Sequence, residues 1–398
     1  MKRVGGTWLV VVVLAMGTAE ARAQVPQPSP PLQLSGPRVV ATGVDFAVRG
    51  GGAASGQGIR IEAQRRARWG RLGAAGADPD GRFRARVRPR RPRRSYTLRA
   101  AAADGRVSAP IVVRSRDVTL AAVGDINLGD GPGLVMAQRG LRFPWTGVAR
   151  ALRRSDMAFG NLECAVSTRG SPVPKQFNFR GRPAALGVIA RYAGFDVLNL
   201  ANNHSGDYGA AALLDTVRHV RRLGMAAVGA GGSLASASAP RVVNRLGLKV
   251  AFVGFSNILP ASFFAGPGRA GTQAATPQAI RRSVRRARRR ADVVIATFHW
   301  GVERATHEDA RQRAFAAAAL DAGATAVIGA HPHVLQPIRR DGRRLVAYSL
   351  GNFVFSAGSP GTTRTGILRL RLSARGVEGS RLALAVIEGT RPRLLGSG

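Results

Sequence analysis

Six short polar segments constrain this chain more than any other feature, because each follows an apolar run or is itself strand-like. They read GDINLGD (124–130), GNLE (160–163), ANNHSGDYG (201–209), FHWGVE (298–303), GAHPHV (329–334) and YSLGNFVF (348–355). Five runs precede them: VTLAAV (118–123), DMAF (156–159), FDVLNL (195–200), DVVIAT (292–297) and ATAVI (324–328). Each is short, β-branched or aliphatic, and bounded by turn residues, the pattern of a buried strand. Stretches at 147–154, 184–193, 208–223, 277–290 and 309–322 place apolar residues three and four apart, the helical period. Strand, polar loop, helix, strand is α/β organisation. Ligands of such sheets gather at the carboxyl ends of the strands, where the polar segments fall.

Those segments bring together carboxylates, amides and four histidines, the groups of a hydrolytic two-metal centre. Imidazole and carboxylate suit Zn, Mn or Fe. Glu163 can bridge two cations. His331 and His333, two apart, would face one side of an extended segment. His204 follows two asparagines; one Asn can ligate through its amide oxygen, leaving His204 as a general acid with Asp207 to orient it. Against this stand blander readings: Asp125 as a cap, Glu163 as a surface charge, His299 as a structural residue. His219 reads as a helix-surface residue, His307 as one near a helix start, and Cys164, the only cysteine, as a small buried residue.

In their order, GDINLG, NLE, NNHSGDYG, HWGVE, GAHPHVLQP and YSLGNFVF resemble the CapA family of bacterial capsule and poly-γ-glutamate biosynthesis proteins, over residues 117–355. The resemblance implies a fold similar to the calcineurin-like metallophosphoesterases, a four-layer α/β/β/α sandwich with a dinuclear metal site. It implies Asp125, Asn127, Glu163, Asn203, His299, His331 and His333 as metal ligands for one or two divalent ions, with His204 as acid and Asp207 beside it. Asn127 stands where those enzymes often carry His, and Glu163 where they usually carry Asp. Arg180, in FNFRG, resembles a family arginine near the site, where it can clamp an anionic group bidentately; the alternative is a solvated loop arginine. Asn202 and Glu303 join it as candidate substrate contacts.

Residues 1–23 read as a secretory signal: Lys2 and Arg3, an apolar core at 8–16, then Ala21-Arg22-Ala23. Export to the periplasm, the cell surface or the medium is the expectation. A Pro-rich linker (24–31) leads to residues 32–116, where about seven short alternating runs suggest an all-β immunoglobulin- or fibronectin-like sandwich. The main domain is expected over 117–391, with a frayed tail at 392–398. The net charge is +38, from 60 basic and 22 acidic residues. Only three of the basic residues are lysines, so genomic composition explains much of the excess. Such a field still attracts polyanions, and residues 84–94 and 281–290 each hold seven arginines. No nucleic-acid motif stands beside them. The expected partners are an anionic envelope or capsule polymer, with poly-γ-glutamate the candidate, and membrane-bound synthase components. Two functions follow: an exported metal-dependent hydrolase of a phosphoester or amide bond, or a non-catalytic polymer-binding subunit of a capsule-synthesis machine.

Overall fold

The computed structural model describes residues 29–89, 94–258 and 260–396. The signal segment, most of the Pro-rich stretch, the middle of the 84–94 arginine run and the last two residues lie outside the described residues. The described chain combines an all-β part with a mixed α/β part.

In the all-β part, five strands (Val39–Ala41, Ile111–Arg116, Ser95–Ala102, Gly58–Arg65 and Arg68–Gly76) form one sheet in that spatial order. Gln33–Ser35, Phe46–Gly51 and Phe83–Val87 form another. Alternation drives the pairing. In Phe83–Val87 the odd residues are buried and both arginines exposed, the period-2 signature of a sheet with one wet face.

The α/β part is built on two larger sheets. One contains β1 (Val118–Ile126), β2 (Met157–Leu162), β3 (Val197–Asn199) and β4 (Ala226–Val228). The other contains β5 (Leu248–Ser256), β6 (Val293–His299) and β7 (Ala326–Ala330). The first sheet continues past β1 into β8 (Arg364–Ser373), β9 (Gly376–Glu388) and β10 (Arg391–Leu394), giving the order β4-β3-β2-β1-β8-β9-β10. β1 to β4 pair in parallel, as do β5 to β7. Both faces of these strands are buried, which is why they read as continuous apolar runs. On β1, Val118, Leu120 and Ala122 turn toward one core while Ala121 and Val123 turn toward another.

The first core fills the space between the two sheets, where the Phe159 ring stacks on Phe252 with centroids 5.9 Å apart, and runs on into the interior of the all-β part. The second joins the first sheet to a helix α1 (Gly209–Arg222), the 143–154 segment and the 183–193 segment. The third joins the second sheet to α2 (Pro277–Arg288) and α3 (Ala310–Asp321).

Two elements differ from expectation. β5, an inner strand of the second sheet, carries no polar segment of the kind that marked the others. The tail expected at 392–398 is ordered into the sheet as far as Leu394, because β10 pairs antiparallel with β9. Pro392 is accommodated there because β10 is an edge strand.

The all-β part meets the α/β part at the amino ends of the sheet strands. Ala41 N donates to Leu246 O, and Ala374 N to Thr42 O. Arg116, at the end of its strand, forks onto Asp156 at 2.6 and 2.7 Å just before β2 begins. The polar segments lie at the other ends of the same strands, so this contact is remote from them.

Candidate metal centre

Strand register brings the polar residues to one level. Asn161 lies opposite both Asp125 and Asn199, Asn352 lies opposite Asp125, and His299, the last residue of β6, lies opposite Ala330. Gly124 is required by this closeness, since a Cβ there would run into the Gly351 carbonyl. Past the strand ends the chain turns sharply. His331 and His333 both have positive φ, 99° and 59°, an arrangement rare and strained for non-glycine residues. The 331–334 segment is therefore bent. The expectation that it is extended, with the two imidazoles sharing a side by alternation, is corrected: the turn brings their centroids to 5.8 Å.

Two ligand groups result. Asp125, Glu163 and His299 offer one donor atom each within 4.8 Å of one another, and so do Glu163, His331 and His333. Glu163 belongs to both. His299 Nε2 lies 3.3 Å from Glu163 Oε1 and 2.7 Å from Asn203 Oδ1. His333 Nδ1 lies 3.3 Å from Asp125 Oδ2 and 2.9 Å from Asn352 Oδ1. Asn161 holds the pair from beneath, its Nδ2 donating to Asp125 Oδ1 at 2.8 Å beside His299 Nδ1 at 3.1 Å.

The buried polar atoms of this cluster are incompletely satisfied. Both Glu163 carboxylate oxygens and His331 Nδ1 are buried without a hydrogen-bond partner, a costly state for a carboxylate. Burial, followed by the Asp125 charge, raises the Glu163 pKa well above the carboxylate range. Burial, followed by the neighbouring imidazoles, holds His299 well below its ordinary value. His331 falls to about 3 for the same reasons. At His333 burial pulls downward, but the bond to Asp125 outweighs it and the pKa rises. Two carboxylates and three imidazoles crowded into a buried site, with lone pairs unspent, fit a divalent cation.

Beside this cluster stands a second group. His204 Nδ1 lies 2.7 Å from Asp207 Oδ2, and Asp207 is fully buried. Asp207 also accepts from Phe179 N at 2.7 Å and from Lys175 Nζ at 2.6 Å. Lys175 further donates to Asn203 O at 2.6 Å. The Phe179 ring stacks on His204, centroids 4.0 Å apart. With Asp207 accepting, the proton sits on Nδ1 and Nε2 is left as the working nitrogen, an assignment made from the partners. Burial lowers the His204 pKa and Asp207 partly restores it.

Other expected site residues have different employment. Asn202 is buried and committed: Nδ2 donates to Leu162 O, and Oδ1 accepts from His204 N and Ser205 Oγ. These bonds shape the loop. Asn127 Oδ1 accepts from Gly129 N at 2.8 Å, so its amide closes the turn after β1. Arg180 donates to the Gly170 and Arg169 carbonyls and stacks over Tyr208 at 3.5 Å. Glu303 is exposed, and its charge bears on Glu163 and His333. His219, paired with Asp215 at 3.2 Å, and the exposed His307 stand apart from the cluster. Cys164 is buried, its thiol pushed up to about 12 chiefly by burial. Sequence reasoning missed Lys175, Asn161, Asn352 and Phe179. The rarity of lysine in this chain was the one available signal for Lys175.

Residues 119–357 match the family model described as "Bacterial capsule synthesis protein PGA_cap". Among curated proteins, the chain is 32% identical over 277 residues to the "PGA biosynthesis protein CapA" of Bacillus subtilis (strain 168), covering 68% of this chain and 73% of that relative. It is 31% identical to the "Capsule biosynthesis protein CapA" of Bacillus anthracis, covering 67% of each. It is 27% identical over 227 residues to a "Probable polyglutamine synthesis accessory protein" of Mycobacterium tuberculosis, covering 54% of this chain and 60% of that relative.

Proposed function

The chain belongs to the bacterial capsule synthesis protein family, and from that membership and the site geometry we propose that it serves capsule or poly-γ-glutamate biosynthesis as a metal-dependent hydrolase. The observation that carries this reading is Glu163, a buried carboxylate without a hydrogen-bond partner that belongs to both ligand groups. On this reading the two main sheets and their helices form the four-layer α/β/β/α sandwich of the metallophosphoesterases. The all-β part is an immunoglobulin- or fibronectin-like spacer, and the protein acts outside the cytoplasm. Among the described residues no helix is long and apolar enough to cross a membrane.

Asp125, Glu163, His299, His331 and His333, with the Asn203 amide, would hold one or two ions of Mn, Zn or Fe. When bound, such an ion supplies Lewis acidity and makes water a stronger acid. The rest belongs to the chain. Asp207 accepts from the His204 Nδ1–H, so that Nε2, once protonated, can pass that proton to a leaving oxygen or nitrogen. Phe179, stacked on the imidazole, holds the ring in place and keeps water from that face. Lys175 balances the buried Asp207 charge. The bond cleaved is a phosphoester or an amide of an anionic polymer. The experiment is turnover of an aryl phosphoester and of poly-γ-glutamate by wild type and His204→Ala. A loss of roughly 10²–10⁴-fold with metal content intact supports the reading, and equal turnover by both rejects it.

A second reading has its own support. The relatives' printed names record synthesis, which fits a polymer-holding subunit that uses the same site for recognition alone. Metal binding and polymer binding without turnover of either substrate would select it.

A further inference from the structure

An arginine-lined groove stands apart from the metal centre. It lies between α2 and the short helix Leu234–Ala237, with a volume of about 400 Å³. Its walls include Arg282, Arg285, Arg286 and Arg289, and its floor is polar, with Ser238, Ser283 and Gln273. None of the metal-centre residues lines it.

The four arginines stand at i, i+3, i+4 and i+7, so they project from one face of α2 and its C-terminal cap residue, Arg289. Like charges at these spacings repel, and α2 has no acidic residue in its sequence to offset them. Among the described residues, no carboxylate pairs with any of the four. Some arginines elsewhere do have carboxylate partners: Arg116 with Asp156, Arg99 with Glu62, Arg339 with Glu308. The opposite face of the same helix is an ordinary core face, with Ile280, Val284 and Ala287 buried. The run of arginines at 281–290 is therefore two things. One part is scattered surface charge; the other is a row lining a concave wall.

The floor adds a second observation. Gln273 is fully buried, its Nε2 lies 2.7 Å from Ser283 Oγ, and its Oε1 has no partner. The two ends of an amide are assigned from their bonds. Exchanging them keeps the Ser283 contact, since a hydroxyl donates or accepts, and frees the NH2 as a donor.

We propose that this groove docks a linear polycarboxylate, each carboxylate forked by one guanidinium. The concave shape, with four guanidinium groups along one wall and only Leu234 and Ala279 as apolar side chains, favours an extended polyanionic chain over a flat membrane surface. The site holds polymer at a distance from the metal centre, adding effective concentration rather than chemistry. The inference rests on the proposed function only in taking the polymer to be anionic.

The test separates the groove from the general positive field. Labelled poly-γ-glutamate is titrated into the full chain by fluorescence anisotropy at two salt concentrations. Three proteins are compared: wild type, the groove variant Arg282→Gln/Arg285→Gln/Arg286→Gln/Arg289→Gln, and a control of equal charge, Arg71→Gln/Arg150→Gln/Arg222→Gln/Arg269→Gln, all exposed outside the groove. The expected result is Kd weakened about tenfold or more by the groove variant and less than about twofold by the control, with a shallower salt dependence in the groove variant alone. Equal weakening in both would overturn the proposal in favour of the overall field, and no weakening would overturn it outright. Anionic lipid vesicles form a further arm: loss of vesicle binding with polymer binding intact would assign the row to a membrane surface. The groove variant relieves repulsion and keeps helix-forming side chains, so it should melt no lower than wild type. If it fails to fold, Arg282→Gln/Arg286→Gln carries the same comparison. Metal content and turnover of a small aryl phosphoester should be unchanged in the groove variant, so a failed proposal here and a failed hydrolase reading give different results.

Discussion

His204 Nδ1 lies 2.7 Å from Asp207 Oδ2 while the other oxygen of that carboxylate accepts a hydrogen bond from Lys175 Nζ at 2.6 Å. The imidazole is thus oriented by a carboxylate that is itself charge-balanced. Because these contacts come from the 171–179 and 201–207 loops, they tie two otherwise separate segments to one side of the ligand cluster.

Asp207→Asn keeps the shape but can place a donor against Nδ1, favouring the wrong tautomer. Turnover should fall by about a hundredfold or more with metal stoichiometry unchanged. The check is kcat on an aryl phosphoester beside metal analysis of the same sample. Full activity would remove Asp207 from the mechanism.

Lys175→Met leaves Asp207 buried without its counter-charge. Breaking a buried pair costs about 3–5 kcal/mol. Lys175 is 19% exposed, so the expected loss is smaller, about 1–3 kcal/mol. Lys175→Arg should recover part of it. Urea denaturation of the three proteins measures this, and a loss indistinguishable from zero would contradict the assigned role.

Gly124→Ala should disturb the centre without touching a ligand. The new methyl meets the Gly351 carbonyl, so β1 must shift and carry Asp125 with it. The expected cost is about 1–3 kcal/mol, with weakened metal retention. Unfolding curves and metal analysis together check it.

Asp156 gives a pH signature for the junction between the two parts. Burial would raise its pKa, but the Arg116 fork and Thr119 bonds outweigh this and lower it to about 2 from 3.8. A depressed carboxylate stabilises the folded state above its unfolded pKa. The contribution is lost as pH falls from about 4 through about 2. Asp156→Asn should flatten that part of the acid limb. Unfolding free energy measured between pH 5 and 2 in both proteins decides, and parallel curves would contradict the assignment.

Much of this architecture was legible because buried parallel strands leave continuous apolar runs and because their ends were marked by Asp, Asn and His. What was not legible depended on geometry that no local pattern records. The positive φ at His331 and His333 has no signature in GAHPHV, so alternation suggested an extended segment. Lys175 lies 29 residues from His204 in a proline-containing loop, and only the fold closes that distance. Asn161 and Asn352 lay inside the polar segments, but which amide supports and which is free to ligate is decided by register. Asn202 illustrates the converse: its position suggested substrate, while its bonds are spent on the loop. β10 was masked by Pro392, which argues against a central strand but not against an edge one.

The central claim is that Glu163 is shared by two cation-binding groups. The most direct test is metal analysis of the purified chain after exposure to Mn²⁺, Zn²⁺ or Fe²⁺, beside Glu163→Gln and His331→Ala/His333→Ala. The account predicts about one to two equivalents in wild type, loss in both variants, and a rise in melting temperature on loading that only wild type displays. Fewer than about 0.1 equivalents in wild type, or full retention by Glu163→Gln, would contradict it.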